Sequence, residues 1–514
     1  MSRTENATKN ILGSMINTVL VTLFSFVART VLVRVLGDMY NGINGTFTEI
    51  LSVLSLTELG IGVAVNFTLY KPLAENDIEK VKSLMLFYKR AYMVVAAAIT
   101  VIGLALLPFL DKIVKDAQGI APWQLQLIYL IFLFNTVYTY FFAYKRTLCH
   151  ADQKSYYINN VTIVSNITSA ILQSVALLIF RNYFAFLGVN VLCGLVMNIY
   201  LDRFIMKKYP YLADKYVTNL SKSETSAIMK DVRAVMWHKI GGVMVNQTDT
   251  IIVSSMIGVV TSGKLVNYTL CTKAVSNFIQ NIFYSITAVI GNIIVTDEEE
   301  RRSTVFDAMN FFAFWIYGWA FVCFFMLIQP LVNLWVGAAR VLPFEAILFL
   351  LISFYINGMK VPLDIMKEAA GVYKPDKYVP VLETVLNIVI SIVGVKLIGL
   401  PGVFLGTIAS SLLAPSWIKP VVVYKHIIHK PPKGYFLKYI LYGITVAANV
   451  LLVHWISKLI VPQNIAIWWS MAINLVLCII IPNVVILAVY SRTKAFRELK
   501  RMGTAAIKKY LRKS

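Results

Sequence analysis

T-V-L-V-R-V-L-G-D-M-Y-N-G-I-N-G-T-F-T (Thr30–Thr48) can be laid on T-I-I-V-S-S-M-I-G-V-V-T-S-G-K-L-V-N-Y-T (Thr250–Thr269), as an internal repeat or as the chance likeness of two hydrophobic helical hairpins. With a single gap, Gly37 falls on Gly258, Gly42 on Gly263, and Phe47-Thr48 on Tyr268-Thr269. Each copy joins two apolar, helix-compatible runs through a glycine. The basic interval Lys207–Lys230 is the longest polar stretch and lies between the copies. A chain of duplicated hydrophobic halves is expected, with its working site where the halves meet near the bilayer midplane.

Composition identifies the solvent. Of 514 residues, 58% are hydrophobic and 14% charged. A soluble domain carries about 45–50% apolar and about 25% charged residues. Soluble, disordered and collagen-like classes are thereby excluded, and a polytopic membrane protein remains. Five cysteines, without C-x-x-C spacing, argue against a disulfide framework or a zinc site.

Windows of about 19 residues pick out segments able to cross about 30 Å of hydrocarbon as helix. Fourteen are read: 11–36, 43–70, 84–110, 125–148, 156–180, 185–206, 233–257, 265–295, 306–329, 344–366, 378–397, 402–423, 436–460 and 467–490. With the N-terminus inside, the cytoplasmic stretches (among them 360–377 and 419–438) hold 37 Lys or Arg and the outer stretches seven. Basic flanks resist translocation, so both termini are expected in the cytoplasm. The net charge of +22 is then topological, assisted by anionic lipid headgroups, and nucleic acid is not an expected partner. The expected layout is all-α: a six-helix lobe at 1–206, a cytoplasmic linker at 207–232, a second six-helix lobe at 233–423, a final helix pair at 436–490 and a basic cytoplasmic tail at 491–514. The two lobes are expected to enclose a central cavity.

The census leaves four cations inside spans: Arg29, Arg34, Lys239 and Lys273. A charge at the bilayer centre costs roughly 2.5–3.5 kcal/mol even on lenient scales, so each needs water, a partner or a ligand. Helical spacing places Lys273, Asn277, Gln280 and Tyr284 on one face of span eight. Lys239, Asn246, Asp249 and Thr250 share an arc of span seven, and Asn44, Thr48, Ser55 and Glu58 a stripe of span two. Substrate contacts are therefore expected from Arg29, Lys239, Lys273, Asn277, Gln280, Asn246 and Asn44. Glu58 and Asp249 are candidate ion-coupling groups or charge partners, and Arg34 a candidate exit gate. Interhelical glue, at about 0.6 kcal/mol per contact, is the competing role for the neutral polar groups.

Other motifs fail. Gly258–Lys264 mimics a phosphate loop, but Leu265 replaces the required Ser or Thr. His426 and His429 lack further ligands, and His238 beside Lys239 reads as a packing or interfacial group. No nucleophile–base constellation is recognisable, so neither an enzyme nor a bound cofactor is expected, though H⁺ or Na⁺ coupling through Glu58, Asp249 or His238 is open.

The N-terminal third carries N-x-x-G at Asn10–Gly13, F-x-x-R at Phe26–Arg29, L-G-x-x-Y-N-G at Leu36–Gly42, L-S-L-T-E-L-G-I-G at Leu54–Gly62, L-Y-K-P at Leu69–Pro72 and H-A-D-Q-K at His150–Lys154. These resemble polysaccharide-repeat flippases of the Wzx type, in the multidrug/oligosaccharidyl-lipid/polysaccharide exporter superfamily. The resemblance implies fourteen helices in two lobes plus a final pair, working in the bacterial cytoplasmic membrane for capsule or exopolysaccharide assembly. It also implies an undecaprenyl-pyrophosphate-linked oligosaccharide as substrate, a polysaccharide polymerase and assembly proteins as partners, and a diphosphate-binding role for Arg29 and Lys273. Lipid II flippases and cation-coupled multidrug exporters of the same fold are the alternatives.

Overall fold

The computed structural model describes residues 3–511 apart from 56–60, 153, 215 and 463, with side chains outside 1–18, 61–66, 231, 233–246, 288 and 505–511. Among the described residues there is no strand. The helices are α1 (Arg3–Leu36), α2 (Asp38–Leu54), α3 (Ile61–Ala74), α4 (Ile78–Ala105), α5 (Leu110–Ile113), α6 (Pro122–Ala151), α7 (Ser155–Phe180), α8 (Tyr183–Lys208), α9 (Lys222–Ile252), α10 (Val259–Ser285) and α11 (Thr287–Thr296). They continue with α12 (Glu299–Val336), α13 (Phe344–Ala370), α14 (Val379–Ile398), α15 (Leu400–Leu413), α16 (Pro415–Val423), α17 (Lys433–Ile460), α18 (Ile467–Tyr490) and α19 (Lys494–Leu511).

Among the described residues eleven spans are long and apolar enough to cross a membrane, or twelve if α10 and α11 form one bent span. The two other expected spans, 43–70 and 233–257, coincide with α2 plus α3 and with α9, and both run partly through undescribed residues or side chains. Large apolar side chains on the crossing helices point outward: Val164 is 65% exposed, Val196 67% and Leu451 69%. That pattern suits a chain whose surroundings are hydrocarbon. This is an all-α, multi-pass membrane protein.

Helix ends follow local chemistry. Asp77 caps α4 by accepting the Lys80 N–H at 3.0 Å, and Asn182 caps α8 by accepting the Phe184 N–H at 2.7 Å. Ser221 and Glu224 form a capping box at the start of α9. Gly371, at φ +67°, ends α13 in the left-handed conformation, with its N–H and that of Val372 closing on Glu368 and Lys367. A five-residue π-helical turn, Val253–Ile257, separates α9 from Gly258.

The chain divides into two compact units, Met1–Val266 and Asn267–Ser514. In the first, Phe47 of α2 packs edge-on to Tyr129 and Phe132 of α6 at 5.2 and 5.8 Å. Tyr129 donates its hydroxyl to the Gly103 carbonyl of α4 at 3.1 Å, so this buried ring leaves no orphan donor. In the second, α12 is central: Phe306, Phe311, Phe314 and Tyr317 are wholly buried, and Phe314 stacks on Tyr442 of α17 at 4.2 Å. Trp315 and Trp319 tie α12 to α18 through Asn483 (2.7 Å) and the Cys478 carbonyl (3.0 Å).

The charge census counts Lys360, Lys367 and Lys419 in the basic stretches 360–377 and 419–438 and leaves them out of the cations within spans; in the structure α13 runs through both Lys360 and Lys367, both are buried, and Lys419 lies in α16. Lys360 donates to Glu383 at 2.9 Å and to Ser411 at 3.0 Å, while Ser411 also donates to Glu383 at 2.9 Å. Lys419 pairs with Asp364 at 2.6 Å, and Lys367 with Asp376. A lysine can stay buried within a helix when a nearby acid neutralises it.

Candidate functional site

Four residues of α1 and five of the α2 segment begin the site. Ser25, Ala28, Arg29 and Leu32 recur at helical spacing, as do Asn44, Thr48, Leu51, Ser52 and Ser55, so each set shares a face. These faces border a cavity of about 630 Å³ in the first unit. Phe132, Asn135 and Thr136 of α6, Gln173 of α7, Phe186 and Asn190 of α8, and Gln247 of α9 complete its wall. The lining carries five amides, five hydroxyls and one cation, and no carboxylate among the described residues.

Arg29 is half-buried and is held from behind. Its Nη1 donates to Oδ1 of the fully buried Asn41, whose Nδ2 donates to the Gly263 carbonyl at 2.6 Å. No described acid forms an ion pair with Arg29. Its charge is therefore positioned by a neutral amide and left available to an anion, a use of arginine for which the planar, multi-donor guanidinium is suited. Asn44 is held by the Tyr183 hydroxyl, which donates to Oδ1 at 3.2 Å. The Tyr183 ring is itself set between Tyr40, at 4.9 Å, and Phe186, at 5.8 Å. On the outer flank the Gln247 amide faces the Glu49 carboxylate.

Beneath this lies a close helix crossing. Asn41 and Gly42 of α2 meet Val259 and Gly263 at the start of α10, and Thr46 and Ser262 share a hydrogen bond at 3.4 Å. Gly37 and Gly258, each immediately before its helix, take φ +86° and +139°. Side chains rarely adopt such backbone, so glycine is needed ahead of α2 and ahead of α10 alike.

The sequence-derived residues are distributed as follows. Arg29 and Asn44 line the cavity of the first unit; Asp249 is half-buried in α9 and Arg34 exposed near the end of α1. Lys273, Asn277 and Tyr284 lie on an exposed face of α10 in the second unit, with Gln280 half-buried. Lys239, Asn246, His238 and Glu58 lie outside the described side chains. Sequence reasoning missed Asn135, Gln173, Asn190 and Gln247. Their signal was available as amides inside the apolar spans four, five, six and seven. Among the described residues no cluster of three or more His, Cys, Asp or Glu could hold a metal ion, and His429 is paired with Glu299 at 2.8 Å.

No family model and no curated protein matches the chain. Solved structures do. The lipid II flippase MurJ, in an inward closed conformation, superposes with a TM-score of 0.66 over 94% of this chain and 99% of its own, at 13% identity. An inward-facing multidrug resistance MATE family transporter of the MOP superfamily gives 0.57 over 78% and 94%, at 16% identity. A MOP superfamily transporter from Pyrococcus furiosus, described as having a binding pocket of reverse polarity, gives 0.51 over 83% and 96%, at 15% identity. At such identities the likeness is one of fold: this chain has the all-helical, multi-pass architecture found in a lipid II flippase and in MATE transporters.

Proposed function

We propose that the protein is a flippase that moves an undecaprenyl-diphosphate-linked oligosaccharide from the inner to the outer leaflet of the bacterial cytoplasmic membrane, with both termini in the cytoplasm. The observation that carries this reading is Arg29, a cation without a described acid partner in a cavity otherwise walled by amides, hydroxyls and aromatic rings. A diphosphate carries about two negative charges, and bare hydrocarbon opposes its passage. Arg29 can grip phosphate oxygens through two parallel N–H bonds. Asn44, Asn135, Gln173 and Asn190 offer both donors and acceptors to sugar hydroxyls, and Phe132 and Phe186 offer flat faces to sugar rings. The prenyl tail stays in the bilayer.

Lys273, on its exposed helix face, is the second candidate for the diphosphate, with Asn277 and Gln280 beside it. Lys239 and Asn246 remain candidate contacts, Arg34 a candidate exit gate, and Glu58 and Asp249 candidate coupling groups. An interior-negative potential favours outward movement of an anion by about 2.3 kcal/mol per charge per 100 mV, so export needs no further energy source in principle. In this reading the protein makes or breaks no covalent bond.

Two other cargoes fit the fold. The likeness to a lipid II flippase favours a peptidoglycan precursor, and the likeness to MATE transporters a cationic drug. The cavity lining argues against the cation, because its only described charge is positive. Reconstituted protein is the test. Wild type should translocate a fluorescent polyprenyl-diphosphate oligosaccharide, and Arg29→Ala should lose at least 10-fold in rate at equal protein level. Equal rates in the two, or transport of lipid II or a cationic dye in place of the oligosaccharide, would remove the proposal.

A further inference from the structure

The last helix presents a surface that the transport site does not use. Between Lys494 and Thr504, α19 buries Ala495 and Glu498 and half-buries Phe496, Leu499 and Met502. Lys494, Arg497, Lys500 and Arg501 are directed to the remaining side. The docking is specific. Glu498 accepts from Arg301 of α12 at 2.6 Å through Oε1 and from Arg501 at 3.1 Å through Oε2, and the Phe496 ring lies 6.0 Å from Trp315 and 6.1 Å from Phe311. The helix is thus pinned by its acidic and apolar side, which leaves its cations facing away from the protein. Apart from the buried Glu498, no acid occurs between Ser491 and Thr504. The acids nearby belong to the segment that opens α12: Asp297 reaches Arg301 at 3.8 Å, Glu299 pairs with His429, and Glu298 and Glu300 are exposed.

The position of this surface follows from chain length. Only Ser491–Thr493 separate α18, a crossing helix, from α19, and three residues reach at most about 10 Å. Thr493 then caps α19 by accepting the Phe496 N–H at 3.3 Å. The helix therefore starts where the last span leaves the hydrocarbon, at the depth of the headgroups.

We infer that the outward face of α19 binds the phosphate headgroups of anionic lipids in the leaflet that borders the end of α18. Arg497 can fork onto phosphodiester oxygens, Lys494 and Lys500 add flexible point charges, and Arg501, held by Glu498, adds positive potential beside them. A neutral headgroup offers the same phosphate together with a fixed cation that these residues repel, so the site selects net anionic lipid. It is separate from the Arg29 cavity and stands whether or not the transported cargo is an oligosaccharide.

Limited trypsin digestion of the full chain in nanodiscs tests this without any substitution. Cleavage after Lys494, Arg497, Lys500 and Arg501 should be several-fold slower in discs containing phosphatidylglycerol than in discs of phosphatidylcholine alone, and high salt should abolish the difference. Inorganic phosphate added to neutral discs should give no protection. By native mass spectrometry, the Lys494→Gln/Arg497→Gln/Lys500→Gln variant, which keeps Arg501 on Glu498, should retain fewer phosphatidylglycerol molecules. Equal cleavage in the two disc types, protection by free phosphate alone, protection only after an acidic protein is added, or unchanged lipid retention in the variant would overturn the assignment. None of these outcomes depends on transport.

Discussion

Gly42 and Gly263, which occupy matching places in the two sequence copies, touch backbone to backbone: a Cβ built on either lies 2.9 Å from the amide nitrogen of the other. The added carbon at Gly42 would also run into the Val259 carbonyl, and that at Gly263 into the Asp38 carbonyl. Backbone cannot swing aside as a side chain can. Gly42→Ala and Gly263→Ala should each cost about 1–3 kcal/mol, read as a lower melting temperature of the purified protein. Gly434→Ala is the control, because a Cβ there meets nothing within 4 Å, and it should leave the melting temperature level or slightly raised. Equal effects at the three positions would mean that the crossing is looser than described.

Asn41 joins that crossing to Arg29. Replacing it with leucine keeps much of its volume but removes the donor to the Gly263 carbonyl and the acceptor for Arg29. An unmet buried polar group costs about 1–3 kcal/mol. Asn41→Leu should therefore lower stability and also reduce transport, because the guanidinium loses its positioning partner. Asn41→Asp should preserve the grip on Arg29 but cancel its charge, so that transport falls although Arg29 is still present. Transport rates at matched protein levels would separate these effects.

Lys360 and Glu383 should behave as a buried pair. Removing one partner leaves an uncompensated charge, at a cost of about 3–5 kcal/mol, so Lys360→Met or Glu383→Leu alone should impair accumulation of the protein. The double variant should recover much of that loss, since two apolar groups can fill the same space. Thermal unfolding of the three variants in detergent is the measurement, and a double variant as unstable as the singles would count against the pairing.

A fourth expectation concerns acid. Glu224, at the start of α9, is held down to about 2 from an ordinary value of 4.5, first by its hydrogen bond from Lys80 and then by those from Ser221. A depressed carboxylate contributes its stabilisation above the ordinary value and loses it as the pH falls through the window from 4.5 to about 2. Hydrogen-exchange protection at the first turn of α9, taken relative to the intrinsic exchange rate at each pH, should fall across that window in wild type. In Lys80→Gln the fall should begin at higher pH. An unchanged profile would mean that Lys80 does not hold Glu224 in solution.

The fold was legible because hydropathy is a property of single residues summed over a window, and lipid imposes helices on whatever passes that sum. Arg29 and Asn44 were legible for a related reason: each is an anomaly in an apolar run, and helical spacing gives its face. The rest of the cavity needed tertiary information. Gln173 and Asn190 are neutral amides, which serve equally as contacts between helices, and only the packing of α1, α2, α6, α7 and α8 gathers them on one cavity. The Lys360–Glu383 pair was hidden differently. Its members are 23 residues apart on separate helices, and the charge census counts the lysine with a basic flank.

The π-helical turn at Val253–Ile257 accounts for the one-residue offset between the two aligned stretches. From Thr30 to Gly37 is seven steps along the chain, and from Thr250 to Gly258 eight, while the intervals from each glycine to the next, Gly42 or Gly263, agree. The surplus residue falls where the helix widens by one residue per turn. An insertion that would otherwise rotate every later side chain by about 100° is thus absorbed within a single coil. Deletion of one residue from 253–257 should return an ordinary helical turn without moving Gly263.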